Sequence, residues 1–350
     1  ETGQSTGWHG CGSLRLAYTQ KDLDWFYYVK GILNNVGCSA EIVSTQEIPK
    51  IHPFIQLDGI IGGLHTPGDG HTDPTSTTNA MAKGARNSGA EIYRHNRVTN
   101  IRQLPTDEWE LVTEKGNIIC EHVVNAAGSF CPEVGHMVGL KNIPSINMIH
   151  HYLVTDEHPE IKKLGKELPV VRDPHSSCYL RQEGKGLLIG IYEKNAKCWA
   201  LDGMDWKFDM ELLEPDLDRL EEHLKKGMDR IPQFRDVGIK KIICGPITHT
   251  PDGNFLAGPA PGLRNFWMFC AASVGIAQGG GAGKYMAQWM TYGDADINML
   301  EFDPRRYLSW THKDYAVAKC TDEYKRMYVT PLPNESLEVG RPIKTTSIYK

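Results

Sequence analysis

The chain has 350 residues, 40% hydrophobic and 23% charged, with a formal net charge of -5 and a pI near 6.3. That balance suits two closely packed soluble domains and argues against nucleic acid or an anionic membrane as the main partner. No apolar run approaches the roughly 18 residues of a membrane helix, and nine cysteines without a CxxC pair suit reduced thiols rather than disulfides or a zinc site.

The opening Glu1-Thr2-Gly3 carries no initiator methionine and no signal or transit peptide, which reads as a processed or incomplete product. A strand is expected over Trp8 to Ala17 around a Gly10-Cys11-Gly12 turn, then a helix over 20–35. Ile60 to His65 reads as a strand running into Pro67-Gly68-Asp69-Gly70-His71. Asp73 then caps a helix with Pro74 at its first position, closing at Ser88-Gly89. Strands are expected at Glu91–Arg94 and at 97–104, followed by a hairpin of Trp109–Thr113 and Asn117–Cys120 turning at Lys115-Gly116. Val123 to Gly128 reads as a buried strand ending in small residues, with a helix after it.

The middle third changes character. His150–Thr155, Cys178–Arg181 and Gly186–Gly190 are strand-like and joined by charged loops, as in an antiparallel sheet. Pro215 is expected to open an amphipathic helix with Leu217, Leu220 and Leu224 on one face and a solvated charged face opposite. The tail beyond 300 reads as polar and irregular.

The segment Phe266 to Met290 is the most telling. An apolar strand (Phe266 to Ala272) stops at Ser273-Val274-Gly275 and passes through Gly279-Gly280-Gly281. It is expected to reopen as a helix near Ala282, with Tyr285, Met286 and Trp289 on one face. A strand, a side-chain-poor turn and a helix N-terminus leave backbone N–H groups beside a positive dipole end, where an anionic or electron-accepting ligand can approach. It is not a P-loop: Gly283-Lys284 precedes Tyr285 rather than Ser or Thr, and Gln278 fills the first glycine position.

Three segments together resemble the glycine-oxidase and sarcosine-oxidase class of FAD amine oxidoreductases. They are Pro67-Gly68-Asp69-Gly70-His71-Thr72-Asp73-Pro74, Val124-Asn125-Ala126-Ala127-Gly128, and Gly245-Pro246 with Thr250-Pro251-Asp252-Gly253 leading into 266–290. Within that class the chain is similar to the dimethylglycine and sarcosine dehydrogenase family, through Glu1-Thr2-Gly3-Gln4, His150-x-Tyr152-x-Val154-Thr155, Tyr179-Leu180-Arg181-Gln182 and Leu217-Asp218-Arg219. The resemblance implies an α/β (α+β) fold, in which a Rossmann-like FAD-binding domain is interrupted by an antiparallel-sheet substrate domain. Residues 1–140 would be FAD-binding domain with part of the substrate domain, 141–240 substrate domain, 241–300 a return to the first, and 301–350 an extension. Family members begin with a GxGxxG strand–helix unit and hold flavin covalently through a nearby histidine, and they end with a folate-binding domain. None of these is present, so the chain reads as an internal portion of a longer polypeptide, the alternative being a degenerate relative, and a covalent histidine or a tetrahydrofolate site would lie outside it.

The resemblance also assigns roles. Val98 would contact the adenine side of FAD through its backbone, Ala127 and Gly128 would let the dinucleotide lie against the main chain, and Phe130 would stand near the cofactor. Ser273, Val274, Gly275, Ile276, Ala277, Gly279 and Gly280 would line the flavin ring. His150 and Tyr179 would accept or relay the amine proton, with His151 on the opposite strand face. Strand alternation sets Arg181 on the same side as Tyr179, where it could pair with a substrate carboxylate, a surface ion pair being the equal alternative.

The implied activity is oxidative N-demethylation of dimethylglycine or sarcosine in the mitochondrial matrix, or else in a bacterial cytoplasm. Hydride would pass from the N-methyl carbon to flavin N5, and electrons would leave to an electron-transfer flavoprotein. The alternatives are a non-catalytic regulatory homologue, like the pyruvate dehydrogenase phosphatase regulatory subunit, and an amine oxidase that uses oxygen.

Overall fold

Alternation of apolar and polar residues along the middle strands lets one sheet present a buried face to helices and a second face to a site. The computed structural model describes residues 2–329. In chain order come β1 (Ser13–Ala17), α1 (Gln20–Asn35), β2 (Glu41–Val43), α2 (Ile48–Ile51), β3 (Gly62–Thr66) and α3 (Pro74–Asn87). They are followed by β4 (Val98–Gln103), β5 (Trp109–Thr113), β6 (Gly116–Cys120), β7 (Val123–Asn125) and α4 (Cys131–Met137). Next are β8 (Ile146–Thr155), α5 (Pro159–Lys162), β9 (Val170–Asp173), β10 (Cys178–Glu183), β11 (Gly186–Ile191) and β12 (Cys198–Trp199). The chain continues with α6 (Glu221–Arg230), β13 (Ile239–His249), β14 (Leu256–Pro259), β15 (Phe266–Cys270), α7 (Gly275–Tyr292) and α8 (Lys313–Lys325).

The large sheet runs β12-β8-β11-β10-β9-β1-β3-β2, with β13 also paired to β8; every pair is antiparallel except β1 with β9. One face carries Leu14, Leu16, Leu153, Val171, Leu180, Leu187, Ile189 and Ile191, packed with Leu220, Ile231 and Phe234 from the α6 region. The opposite face carries Arg15, Arg172, Tyr179, Gly190 and Tyr152, which the register sets side by side across five strands. A smaller sheet, β14-β15-β7, places β15 parallel to β7, so both strands end at one edge. The hairpin β5–β6 pairs with β4 in a third sheet.

Several local expectations hold. The Asp73 side chain accepts from Ser76 N, Pro74 opens α3, and the helix closes at Ser88 before a left-handed Gly89. Four differ. Glu91–Arg94 is exposed and irregular, with no partner strand among the described residues. Helix formation after Pro215 begins only at Asp218, as a 3-10 turn leading into α6, because the Asp216 N–H donates to His151 Nε2 at 3.2 Å. Helix α7 starts at Gly275, not near Ala282. Glycine lowers helix propensity by about 1 kcal/mol, and packing of Tyr285, Met286 and Trp289 against Phe255 and Ala257 outweighs that cost. The tail beyond 300 contains α8, whose Ala316, Cys320 and Tyr324 form a buried stripe against β8. The last part of the 301–350 extension, residues 330–350, lies outside the described residues.

Candidate active site

Two constellations emerge, one at the edge of the small sheet and one on the open face of the large sheet. At the first, β7 and β15 deliver their C-terminal ends together. The buried Asn125 shapes the turn after β7, donating from Nδ2 to Cys131 O at 2.9 Å and accepting from Ala127 N at 3.2 Å. Gly128 follows at φ 56, a left-handed conformation a side chain would strain. After β15 the chain passes Ala271 and Ser273 and enters α7 at Gly275, with no side chain capping its first turn. The free N–H groups therefore belong to Gly275, Ile276 and Ala277, while Gly279 and Gly280 lie one turn into the helix. A Cβ at Gly279 would meet nothing, and one at Gly280 would only touch Met81 Cε of α3 at 3.9 Å. Val274 and Ile276, apolar side chains 43% and 40% exposed, flank this positive helix end.

Val98 opens β4, packed against the core that also holds Ala127. Phe130 stacks on Trp206 at 5.2 Å, with Arg97 over the same indole. Thus Ala127, Gly128 and residues 273–280 meet at one strand edge.

The second constellation is built around His150 on β8. Its Nδ1 lies 2.9 Å from Tyr324 Oη of α8, and its Nε2 lies 3.1 Å from Tyr179 Oη of β10. Tyr324 Oη in turn lies 2.8 Å from Glu193 Oε2. The carboxylate can only accept the Tyr324 proton, so His150 Nδ1–H donates to Tyr324 Oη and the Nε2 lone pair accepts from Tyr179. Behind Glu193, which is wholly buried, stands the Arg219 guanidinium at 3.3 Å. A continuous chain therefore runs from Tyr179 through His150 and Tyr324 to the Glu193–Arg219 pair.

The aromatic walls of this chain are Tyr192, 4.6 Å from the His150 ring and 5.1 Å from Tyr324, and Tyr328, 5.7 Å from Tyr192. Their packing dries the site. Burial, together with the nearby His249, His151 and Arg219, pushes the His150 pKa down to about 3, so the ring is neutral at physiological pH. Burial also raises the Tyr179 phenol far above its usual value, pushes Tyr192 up to about 12, and raises the Glu193 carboxyl. Tyr179 takes its position from Gly190 on the next strand, because its ring lies where a Cβ would stand.

His151 turns to the opposite face, where it meets Arg219 and the Asp216 N–H. Arg181 shares the Tyr179 face one rung along. Its guanidinium is engaged locally, 2.5 Å from Glu183 and donating to Gln182 O at 3.0 Å. An open cavity of about 700 Å³ lies beside it, lined by Tyr152, Val154, Arg181, Leu188, His71 and Asp73 among others.

Sequence reasoning did not find Tyr324, Glu193, Tyr192, Tyr328 or Gly190. The spacing of Ala316, Cys320 and Tyr324 at four-residue intervals was a usable helical signal. Glu193 and Gly190 carry no sequence signal, since their roles come from register and burial.

The sequence model of the FAD dependent oxidoreductase family matches residues 1–289, and that of the FAD dependent oxidoreductase central domain matches 292–346. The chain belongs to the FAD dependent oxidoreductase family. The chain is 39% identical to dimethylglycine dehydrogenase of Rattus norvegicus over 100% of its own length and 41% of the relative's. It is 32% identical to sarcosine dehydrogenase of Mus musculus, over 100% of this chain and 38% of that one. The chain thus spans about two fifths of the curated relatives it matches. Among solved structures, L-proline dehydrogenase from P. horikoshii superposes with a TM-score of 0.73 at 24% identity, covering 87% of this chain and 78% of that one. Glycine oxidase from Geobacillus kaustophilus superposes at 0.68 with 20% identity, covering 88% and 78%. The fold is therefore the mixed, glycine oxidase-like architecture expected from the sequence.

The residues at the first constellation fit the flavin side of FAD. An uncapped helix end offers N–H groups, a glycine face leaves room, and the exposed Val274 and Ile276 present an apolar surface against which a ring could lie.

Proposed function

We propose that this chain carries the substrate-oxidising site of an FAD-dependent dehydrogenase for small N-methyl amino acids, dimethylglycine or sarcosine. The observation that carries the reading is the dry relay from Tyr179 through a neutral His150 and Tyr324 to Glu193. It is supported by the similarity to dimethylglycine and sarcosine dehydrogenases over the whole chain.

Oxidising an N-methyl amine requires the nitrogen lone pair to be free, so the ammonium must first lose a proton. Bound FAD supplies the two-electron acceptor that takes hydride from the N-methyl carbon. The protein's own residues manage the proton. Tyr179 Oη accepts it from the ammonium while passing its own proton to His150 Nε2. His150 gives up its Nδ1 proton to Tyr324, which delivers one to Glu193. Burial raises the Glu193 pKa, which makes the carboxylate a workable end point, and Arg219 holds it in place. Tyr192 and Tyr328 keep water out.

Val98, Ala127, Gly128, Phe130 and residues 273–280 hold the cofactor in this reading, at the ends of β7 and β15 and the start of α7, with Val98 coming from the neighbouring β4-β5-β6 sheet. The finer assignments rest on the resemblance alone: electrons to an electron-transfer flavoprotein, the one-carbon unit to tetrahydrofolate where a folate domain is joined, and the mitochondrial matrix as location.

Anaerobic addition of dimethylglycine and of sarcosine to the flavin-loaded full-length protein is the test. Bleaching of the flavin absorbance with either supports the assignment. No bleaching with both overturns it in favour of a regulatory role, and hydrogen peroxide production in air would mark an oxidase instead.

A further inference from the structure

Three segments far apart in the chain bring His9, His71 and Glu167 together, with both histidines on the wall of the cavity beside Arg181. None of the three takes part in the Tyr179–Glu193 relay. His9 and His71 face one another across two antiparallel backbone bonds, His9 N to His71 O at 2.8 Å and His71 N to His9 O at 3.1 Å. Residues paired in this way turn their side chains to the same side. The two imidazoles accordingly stack, with centroids 4.7 Å apart and planes within 10° of parallel. The close approach requires Gly70, because a Cβ there would stand 1.9 Å from His9 O. The third segment is tied in by Val170 N to Gly12 O at 3.0 Å and Gly12 N to Asp69 O at 2.8 Å. Leu168 N also donates to the Gln182 side chain at 3.1 Å. The backbone therefore fixes the positions from which all three side chains converge.

Glu167 spans the two rings, with Oε2 2.7 Å from His9 Nδ1 and Oε1 2.7 Å from His71 Nε2. One ligand atom from each side chain lies within 4.8 Å of the other two, and no other such group occurs among the described residues. Zinc holds nitrogen and oxygen ligands at about 2.1 Å, so tetrahedral ligands stand about 3.4 Å apart. Small side-chain rotations bring these atoms to that spacing. A neutral imidazole carries one N–H and one lone pair, and exchanging its tautomer turns the nitrogen facing Glu167 into a metal ligand. We propose that His9, His71 and Glu167 form a zinc site with its fourth position open to water. Two imidazoles and one carboxylate suit zinc, whereas magnesium and calcium prefer oxygen ligands throughout. Side-chain exposures of 53% for His9, 21% for His71 and 25% for Glu167 leave room for the water ligand. Cys11, two residues from His9, is outside the group, its thiol turned to Gly12 O at 3.6 Å. Glu167 stands 158 and 96 residues from the two histidines, so no sequence spacing announces the site. The site is independent of the amine-oxidising reading above.

The test is calorimetric titration of the flavin-loaded full-length protein with zinc sulfate, in the parent and in His71→Ala, Glu167→Gln and Cys11→Ser. Glu167→Gln keeps the shape of the side chain and its hydrogen bonding but removes the anionic ligand. The parent should bind one zinc ion per chain that each of the first two variants binds at least about 100-fold more weakly. Losing a ligand should cost more than the roughly 10- to 100-fold lost with an outer partner of a metal site. Excess magnesium should not displace the zinc, and Cys11→Ser should bind it as the parent does. Zinc-edge anomalous scattering from crystals of the parent soaked in the same salt should place the ion between the three side chains. Equal zinc binding in the parent, His71→Ala and Glu167→Gln would overturn the proposal and leave a hydrogen-bonded cluster. Loss of binding in Cys11→Ser alone would overturn it too, by assigning the metal to a thiol. Should a variant fail to fold, the anomalous map of the parent decides: a peak among His9, His71 and Glu167 upholds the site, and no peak there refutes it.

Discussion

A single methyl group at Gly190 is the smallest change that reaches the proton relay. Its Cβ would stand 1.8 Å from Tyr179 Cζ and 2.2 Å from Tyr179 Oη, whereas ordinary contact begins at 3.4 Å. In Gly190→Ala the ring must therefore move by about 1.6 Å, the difference between 3.4 and 1.8 Å. That shift breaks the 3.1 Å bond from Tyr179 to His150 Nε2, which is already near the long end for a hydrogen bond. Losing one buried hydrogen bond and repacking the ring should cost about 1–3 kcal/mol of stability. Loss of the group that receives the amine proton should slow flavin reduction by roughly 10²- to 10⁴-fold. The assay is anaerobic stopped-flow reduction by dimethylglycine, run in the parent and in a Tyr179→Ala background where the ring is gone. The substitution should be harmful in the first and nearly silent in the second. A parent-like reduction rate in Gly190→Ala, or an equal loss in both backgrounds, would refute the reasoning.

Arg219→Met should leave the fully buried Glu193 carboxylate without its cation and destabilise the fold by about 3–5 kcal/mol, read by urea denaturation. Gly279→Val should leave folding intact, since no atom opposes the new side chain, yet lower the flavin-to-protein absorbance ratio several-fold after desalting. Acid should weaken the fold through buried histidines. The pKa of His150 is held near about 3 and that of His52 near about 4, both by burial, against 6.5 unfolded. The unfolded chain therefore binds these protons first, and stability present above pH 6.5 falls as pH drops through the folded values. At pH 5 the loss is on the order of 2 kcal/mol per histidine, visible as a falling unfolding midpoint that His52→Gln partly rescues.

Much of the framework around the site was legible in the sequence because it rests on local signals. Asp73-Pro74 and Ser88-Gly89 bracket α3 through capping chemistry, which acts within a few residues. Strand alternation put His150 and His151 on opposite faces, as the structure has them. What escaped depends on distant partners. The glycines at 279–281 looked like a turn, yet packing of the far face of α7 carries the helix through them. Helix α8 hid in a polar tail because its buried stripe is made of alanine, cysteine and tyrosine rather than leucine. Glu193 was invisible for another reason: nothing local distinguishes a buried carboxylate from a surface one until Tyr324 and Arg219 close over it.

The most direct test of the central claim is the single-turnover rate of flavin reduction by dimethylglycine in His150→Ala of the full-length protein. The Tyr179–His150–Tyr324–Glu193 relay predicts a fall of at least about 10²-fold with flavin content unchanged. A rate equal to the parent's would contradict it and leave His150 as a packed core histidine with no part in the chemistry.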